Sequence, residues 1–292
     1  MKQQFKNGKK ERMRSYASIF SSTSFARLLK NEDFDFINKK IERYDSNKIG
    51  KNFTTYSEYL RYAYNSLKKD YRCEYIYKNE LINEFLLKKY GTENTVVINE
   101  FKVGNSVADM VLFNGTSKAF EIKTELDSEK RLGGQLNDYT KIFKECYVVT
   151  HESLIEKYLV TDEKIGVIAI VKRNNSFKME EVRNATVSEE IDAGVLIRSL
   201  RTQEYKNIIT AYFGQLPDVS NFQMFDECAG LMKQIPSDEL NRLFIGELKR
   251  RTSNTQLLQS FYKELRQLCL SLKMNQKDYR ELSLMLSQPI KI

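Results

Sequence analysis

The sequence predicts an α/β protein whose strands lie together in the middle of the chain. Three observations lead to this fold class. Apolar residues recur at helical spacing up to about residue 90, short β-type runs separated by turn residues follow, and helical spacing returns from about residue 186. A length of 292 residues is long for one domain and short for three. We therefore expect one core domain with helical additions at both ends.

The first predicted region covers residues 1–74. Residues 1–20 are basic and predict a flexible arm, and the segments 24–44 and 54–72 have the apolar spacing of helices. Seven tyrosines fall between Tyr56 and Tyr77, interleaved with lysine and arginine. Such a mixture can stack on bases, but it is more often the amphipathic face of a helix packed on its neighbour, which is the interpretation we favour.

The predicted core covers residues 75–182. It begins with a helix over residues 76–90 and continues with the runs TVVINEFKV, VADMVLF and KAFEIKT, which are separated by Gly104-Asn105 and Asn114-Gly115. A helix over residues 128–143 comes next. Two buried strands, CYVVT and GVIAIV, and an edge strand, FKMEEV, complete the core. Residues 183–292 are helical in pattern and form the third predicted region.

The positive charge of the chain lies at its N-terminal end. Residues 1–75 hold 17 Lys/Arg against 9 Asp/Glu, and the remaining residues hold 30 of each. A basic excess suits nucleic acid because each neutralised phosphate releases counterions, although charge alone is more typical of a solvated surface. The residues predicted to contact phosphates here are Lys9, Lys10, Arg12 and Arg14.

Composition excludes several classes of protein. No apolar run approaches the length of a membrane span, so no membrane partner is expected. The four cysteines form no close pair, which argues against a zinc site or a disulfide framework and favours reduced thiols in a cytoplasm. The single His151 argues against zinc sites and nuclease sites that are built on several histidines. The chemistry must therefore come from carboxylates, lysines, hydroxyls or thiols.

One stretch combines the residues needed for metal-assisted chemistry. Asp109 is followed, after eleven intervening residues, by Glu121-Ile122-Lys123. Because residues two apart in a strand share a face, Glu121 and Lys123 point the same way and Ile122 points to the opposite layer. Carboxylates on adjacent strands suit Mg²⁺ or Mn²⁺, and an ammonium beside them can position a water or offset charge on a phosphate.

The turns give this arrangement a testable register. If Gly104-Asn105 closes a two-residue hairpin, Glu100 lies opposite Asp109. Two facing carboxylates are destabilising unless a cation lies between them, so Glu100 is a third candidate ligand. For Asp109 to meet Glu121, the second loop must have an odd length, such as Asn114-Gly115-Thr116, or its strand must carry a bulge.

These residues resemble the PD-(D/E)XK nuclease superfamily. The Asp and Glu-x-Lys groups on adjacent strands, after one helix and before another, carry the resemblance. The following helix contains Gln135 and Tyr139, which match the Q-x-x-x-Y motif of the RecB-like exonuclease branch. The run from KNELINEF to QLNDYTKIFKECYVVT also resembles a bacterial and phage family of nuclease-like proteins. The resemblance covers residues 78–150.

The resemblance implies a fold, an activity and a set of site residues. The fold is a restriction-endonuclease-like core, with a mixed central sheet and helices on both faces. The activity is a divalent-metal phosphodiesterase that acts on DNA. Asp109 and Glu121 would be metal ligands, with the Ile122 carbonyl as a further one, and Lys123 would be the catalytic lysine. Gln135 and Tyr139 would contact substrate or brace the site.

The superfamily also supplies two finer expectations. Its N-terminal helix often adds one more acid, for which Glu84 and Glu80 are the candidates. The iron–sulfur members need clustered cysteines near the C-terminus, which this chain lacks, so no iron–sulfur cluster is expected. Arg131, near the start of the helix with Gln135, is a further candidate for phosphate contact, although an ion pair with Asp127 is the simpler interpretation.

Two other functions remain open at this point. A catalytically silent nucleic-acid-binding or assembly module could keep the same fold, although a relic would be free to lose Asp109, Glu121 and Lys123. An RNA endonuclease could use the same core. The helical regions could also carry a protein partner or a homo-oligomer contact.

Overall fold

The chain folds into two compact units. The computed structural model describes residues 2–125, 127–128, 130–160, 162–173, 176–251 and 255–291, without the side chains of residues 2–7, 176 and 255. A helical unit is formed by Met1–Leu87 with Gln256–Ile292, and a sheet unit is formed by Lys88–Thr255. This division differs from the predicted boundaries at residues 74/75 and 182/183. The last helices belong with the N-terminal ones, and the helices before residue 255 belong with the sheet.

The helical unit is built from amphipathic helices around an aromatic core. Its helices are α1 (Lys2–Ala17), α2 (Ser22–Asn31), α3 (Asp35–Tyr44), α4 (Tyr56–Asp70), α5 (Glu74–Glu80) with a π-helical turn (Leu81–Leu86), and the C-terminal helices α13 (Thr255–Ser260), α14 (Arg266–Ser271) and α15 (Gln276–Leu286). The π-helical turn leads into α6 (Leu87–Tyr90), whose last three residues are counted with the sheet unit. Tyr59 and Tyr64 are buried in this core. The tyrosine-rich segment therefore packs inside the unit, as the favoured interpretation predicted.

The predicted flexible arm is wrong, because residues 2–17 form helix α1. Met13 and Tyr16 on this helix are buried in the core of the helical unit. The Arg12 guanidinium ion-pairs with the fully buried side chain of Asp45 at 2.5 Å, and the Tyr16 hydroxyl donates to the same carboxylate at 2.6 Å. The partner that holds α1 in place lies 33 residues away, so no local pattern in the arm could reveal it.

The sheet unit contains one mixed six-stranded sheet in sequential order. Its strands are β1 (Val96–Val103), β2 (Ser106–Phe113), β3 (Ser117–Lys123), β4 (Glu145–His151), β5 (Gly166–Arg173) and β6 (Ser176–Arg183). Strand β4 runs parallel to β3 and to β5, and the other neighbours are antiparallel. The predicted mixed α/β class is confirmed, and so is the position of the last strand at an edge of the sheet.

Helices pack on one face of this sheet. They are α7 (Leu132–Tyr139), α8 (Ile155–Leu159), α9 (Ala193–Ser199), α10 (Thr202–Phe213), α11 (Met224–Met232) and α12 (Ser237–Arg250). Their apolar side chains join Val111, Ala119 and Val148 from the strands in one core. Nowhere in the described ranges of the two units is a helix long and apolar enough to cross a bilayer.

The two hairpins have the registers that the turn residues predict. Val103 pairs with Ser106 across the Gly104-Asn105 turn, in which Gly104 has a φ of +57° that favours glycine. In the second hairpin Phe113 pairs with Ser117, so the loop consists of three residues, Asn114 to Thr116. The predicted odd-length loop is confirmed. Continuing this register by one step places Asp109 across from Glu121.

The first hairpin contains an irregularity that the sequence analysis missed. Residue pairs are formed on both sides of Glu100 and Asp109, but the pair itself is absent from the ladder, and Glu100 has a φ of +57°. In β1 the core-facing residues are Val96 before the irregularity and Phe101 and Val103 after it. In β2 they are Ala108 before it and Val111 after it. The alternation therefore changes phase in both strands at this point. The odd spacings, five from Val96 to Phe101 and three from Ala108 to Val111, were the available signal in the sequence.

Candidate active site

The candidate site lies on the helix-covered face of the sheet, at the end of β3. Glu121 and Lys123 project from β3 on the same face as Ala119. Ile122 points to the opposite face, where its side chain is buried. Asp109 comes from β2, where its carboxylate accepts a hydrogen bond from the Ile122 backbone N–H at 2.8 Å. The side chain of Asp109 thus takes the place of a ladder acceptor beyond the last β2–β3 pair, Met110 with Phe120.

Glu121 and Lys123 form a buried ion pair. The Lys123 Nζ lies 2.8 Å from Glu121 Oε1, and the two residues are only 8% and 3% exposed. Asp109 is half-buried. Because charges taken out of water must be compensated, the position of the ammonium is strongly constrained.

Helix α7 adds the two residues of the Q-x-x-x-Y motif. Gln135 Oε1 accepts from Lys123 Nζ at 3.2 Å. The Tyr139 hydroxyl lies 2.8 Å from Glu121 Oε2 and 2.8 Å from the carbonyl oxygen of Val107. Gln135 and Tyr139 are one turn apart, so one helix face reaches both members of the ion pair. Gln135 and Tyr139 were predicted to contact substrate or to brace the site, and these hydrogen bonds are of the bracing kind.

The α7 helix depends on its anchors. It has eight residues, fewer than the predicted range 128–143, and it includes Gly133 and Gly134. Two glycines in a short helix disfavour it intrinsically. Burial of Leu132, Leu136 and Tyr139 in the core of the sheet unit offsets that cost. The position of the motif residues is therefore set by packing and by the contacts of Tyr139.

The charged side chains of the site affect one another. The five clustered side chains carry two carboxylates, Asp109 and Glu121, and one ammonium, Lys123. Burial raises the pKa of Glu121, the charge of Asp109 raises it further, and the contacts with Lys123 and Tyr139 oppose this. Burial also raises the pKa of Tyr139, so that residue acts as a neutral hydroxyl. A second cation beside the carboxylates would relieve the repulsion between them.

Glu100 does not lie in the regular strand that the prediction assumed. It has a left-handed backbone, which interrupts the strand and leaves this residue exposed. In the parts of the chain that the structure describes, no group of three or more His, Cys, Asp or Glu side chains is placed to hold a metal ion. The convergence of Glu100, Asp109 and Glu121 on one point stays a prediction.

The two candidates for an additional helix acid differ in their surroundings. Glu80 is buried inside the helical unit, where it ion-pairs with Lys68 at 2.7 Å and accepts from the Tyr64 hydroxyl at 2.5 Å. Both of its oxygens are engaged there. Glu84 is half-buried on the π-helical turn of the same unit. The choice between the two acids stays a prediction.

Of the residues predicted to contact phosphates, some form ion pairs within the protein and others are exposed. Arg12 is committed to Asp45, and Lys9 forms an ion pair with Asp70 at 2.9 Å. Lys10 and Arg14 are exposed on α1. Arg131 is exposed immediately before α7 in the sheet unit. Asp127, its predicted partner, instead accepts hydrogen bonds from the backbone and hydroxyl of Thr124 at 2.7 and 2.8 Å.

One supporting residue was not identified from the sequence. The Thr150 hydroxyl on β4 donates to the carbonyl oxygen of Lys123 at 2.8 Å, and Thr150 is fully buried. It braces the end of β3 at the residue that carries the ammonium. The parallel pairing of Lys123 with Thr150 could not be read from the spacing of the two segments, because a helix and two loops separate them.

Fold and site together define an α+β protein with a buried carboxylate–lysine cluster on its central sheet. The chain belongs to the Bacteriophage P4 protein cII family, whose model matches residues 67–279. Protein cII of Enterobacteria phage P4 is 31% identical over 134 residues, which cover 44% of this chain and 50% of that protein. The chain thus spans about half the length of that curated relative.

One solved structure shows a distant similarity. A protein of unknown function from Silicibacter pomeroyi aligns with 47% of this chain and 88% of its own length, at 13% sequence identity and a TM-score of 0.32. A similarity of this degree does not assign a shared fold.

Proposed function

We propose that this chain is a divalent-metal-dependent nuclease of the PD-(D/E)XK type that hydrolyses phosphodiester bonds of DNA. The observation that carries the proposal is the cluster in which Asp109, Glu121 and Lys123 meet on adjacent strands. Gln135 and Tyr139, the residues of the associated helix motif, contact the last two of these. Four of the five residues selected from their types and spacing are joined by direct side-chain contacts, and Asp109 accepts a hydrogen bond from the Ile122 backbone between Glu121 and Lys123.

The donor set fits a hard cation. Asp109 and Glu121 supply carboxylate oxygens, which Mg²⁺ and Mn²⁺ prefer, and the raised pKa of Glu121 reflects the neighbouring negative charge in addition to burial. The Ile122 carbonyl remains a proposed further ligand. A bound Mg²⁺ or Mn²⁺ would lower the pKa of a coordinated water and stabilise charge on the phosphate.

The protein side chains have separate tasks in this proposal. Lys123 places its ammonium at a fixed point beside the two carboxylates, where it can donate to the attacking water or to a phosphate oxygen. Gln135 orients Lys123, and Tyr139 orients Glu121. Asp109 and Gln135 are half-buried, whereas Glu121, Lys123 and Tyr139 are buried, so the substrate would approach from the side of the first two.

A specific observation favours a second candidate function, a catalytically silent nucleic-acid-binding module. The Lys123 ammonium is already paired with Glu121 and hydrogen-bonded to Gln135 in a nearly inaccessible position. A lysine and a glutamate used only to stabilise the sheet would show the same contacts. An RNA substrate for the same core is the third candidate, because phosphodiester chemistry does not distinguish the two nucleic acids.

The test is a cleavage assay with a site variant. Purified protein is incubated with linear, circular and single-stranded DNA and with RNA, in Mg²⁺, in Mn²⁺ and in EDTA. We expect DNA cleavage that requires metal and is lost in Asp109→Asn, which keeps the hydrogen-bond acceptor for Ile122 but removes the charge. Binding without cleavage in every metal would favour the silent module, and cleavage that survives Asp109→Asn would place the chemistry elsewhere.

A further inference from the structure

A basic recess lies beside the first hairpin of the sheet unit, outside the cluster described above. Its volume is about 410 Å³, and its lining includes three cationic side chains, Lys102 of β1, Lys141 after α7 and Arg198 of α9. Asp138 is the acidic residue of the lining. The recess therefore carries a formal charge of about +2, which favours an anionic ligand.

The cations of the recess differ in how they are compensated. Lys141 lies 3.3 Å from Asp138, so one positive charge is partly neutralised. Lys102 and Arg198 are exposed, and neither makes an ion pair or a side-chain hydrogen bond with another side chain within the described ranges. Two uncompensated cations on different elements of one cavity suit the oxygens of a phosphate group, which can accept from both.

The floor of the recess is held in a fixed position. The Ser106 hydroxyl donates to Asp138 Oδ2 at 2.7 Å, which docks the β1–β2 turn onto α7. Gly104 has a positive φ, and the position that a Cβ would take lies 3.5 Å from the Asp138 carboxylate. The Asp192 backbone N–H donates to the Lys141 carbonyl at 2.7 Å, which ties the start of α9 to the same region. The three cations are thus carried by elements that are bound to one another.

The recess is also connected to the candidate active site. Asp138 in its floor is adjacent in α7 to Tyr139, whose hydroxyl contacts Glu121. Gln135, which contacts Lys123, lies three residues from Asp138 on the same helix. A helix rises by about 1.5 Å per residue, so both sites lie within roughly a turn of α7. A polymer with regularly spaced phosphates can occupy both at once, whereas a small anion cannot.

We propose that Lys102, Lys141 and Arg198 bind a backbone phosphate of the nucleic acid that the candidate active site acts on. The proposal rests on the proposed function for its choice of ligand. Phosphate contacts of this kind position a nucleic acid without reading its sequence. The recess would thus set the path of the strand across the sheet unit, and it would add affinity that depends on salt concentration.

The proposal is tested by binding measurements under conditions that prevent cleavage. The affinity for short fluorescent single-stranded and duplex DNA is measured in EDTA between about 50 and 200 mM salt, a range in which phosphate contacts have large effects. The test variant is the double substitution Lys102→Gln and Arg198→Gln. The matched control is Lys172→Gln with Lys178→Gln, which removes two exposed lysines from the β5–β6 hairpin at the other edge of the same sheet.

We expect the recess variant to bind DNA roughly three- to tenfold more weakly. The slope of log affinity against log salt concentration should also fall, by about one for each lost phosphate contact. The control should remain close to wild type in both respects. If the two double variants weaken DNA binding equally, or if neither weakens it, the proposal is overturned. All four substituted residues are exposed, and thermal melting verifies that both variants fold.

Two further arms separate this proposal from its alternatives. Inorganic phosphate is titrated into the wild type and the recess variant; if the recess variant loses phosphate binding but keeps its DNA affinity, the recess takes a small anion and the proposal is overturned. DNA cleavage by the wild type is measured separately in Mg²⁺ and Mn²⁺. Weaker DNA binding by the recess variant without any wild-type cleavage would uphold the recess and reject the nuclease function. DNA cleavage by the wild type, together with unchanged DNA binding by the recess variant, would uphold the nuclease function and reject the recess.

Discussion

Strand β3 carries two buried lysines, one on each face of the sheet, and each pairs with a glutamate. Lys123 pairs with the buried Glu121 at 2.8 Å on the helix-covered face, and Lys118 pairs with the half-buried Glu145 of β4 on the other. The Lys118 ammonium also lies over the rings of Tyr90 and Tyr147, at 5.6 and 5.9 Å from their centroids. The two pairs use the same residue types and differ in what surrounds them.

The difference is one carboxylate. Near Lys118, a second lysine, Lys89, pairs with Glu181, so positive and negative charges are equal in number. Near Lys123, burial raises the pKa of Glu121 and the charge of the second carboxylate, Asp109, raises it further. The Lys118 pair is suited to stabilising the sheet. Two carboxylates beside one ammonium offer oxygen ligands to a divalent cation, which is the basis of the proposed metal site.

The largest expected contrast is catalytic. Lys123→Met and Lys118→Met each remove one buried ammonium from β3 and keep the apolar stem. Loss of a preorganised charge that stabilises a transition state typically slows a reaction by roughly 10²–10³. We expect this loss of cleavage rate in Lys123→Met and a rate near wild type in Lys118→Met, measured at a temperature at which both are folded. Equal rates in the two variants would remove the distinction between the pairs.

The second contrast concerns stability. Lys118→Met leaves the Glu145 carboxylate without its lysine, and breaking a buried pair in this way typically costs about 3 kcal/mol of unfolding free energy. Adding Glu145→Gln removes the uncompensated charge and should recover most of that loss. Denaturant unfolding of the single and double variants measures both changes. A single variant as stable as wild type would show that this pair is not structural.

The smallest contrast uses the two tyrosines. Tyr139→Phe removes the hydroxyl 2.8 Å from Glu121, and Tyr147→Phe removes the hydroxyl that donates to Glu145 at 2.9 Å. Each substitution should lower the unfolding free energy by about 1–2 kcal/mol, the value of a hydrogen bond to a charged group. Only Tyr139→Phe should also slow cleavage, because it orients a proposed metal ligand. Slower cleavage in Tyr147→Phe alone would contradict this assignment.

The sequence predicted the features that depend on local patterns. The strands, the two-residue turn and the three-residue loop follow from alternation and from turn residues. The meeting of Asp109 with Glu121 follows from that odd loop. Glu100 was predicted in the right register, but its left-handed backbone, where the phase of both strands shifts, was not predicted.

The features that the sequence did not predict depend on distant partners. A lysine in a strand, such as Lys118, is typical of an exposed position. In the structure Lys118 is buried, because it contacts Glu145 and Tyr147 of β4. The order of helix α1 depends on Arg12 meeting the buried Asp45. The grouping of α13–α15 with the N-terminal helices likewise arises from packing between the two ends of the chain.

The central claim, that the carboxylate cluster at Glu121 holds a divalent cation, is tested most directly by calorimetric titration of Mn²⁺. The wild type is compared with Glu121→Gln and with the matched variant Glu145→Gln, which removes the half-buried glutamate from the Lys118 pair. We predict a metal site in the wild type that persists in Glu145→Gln and is lost or strongly weakened in Glu121→Gln. The absence of Mn²⁺ binding to the wild type, or binding that Glu121→Gln leaves unchanged, would contradict the account.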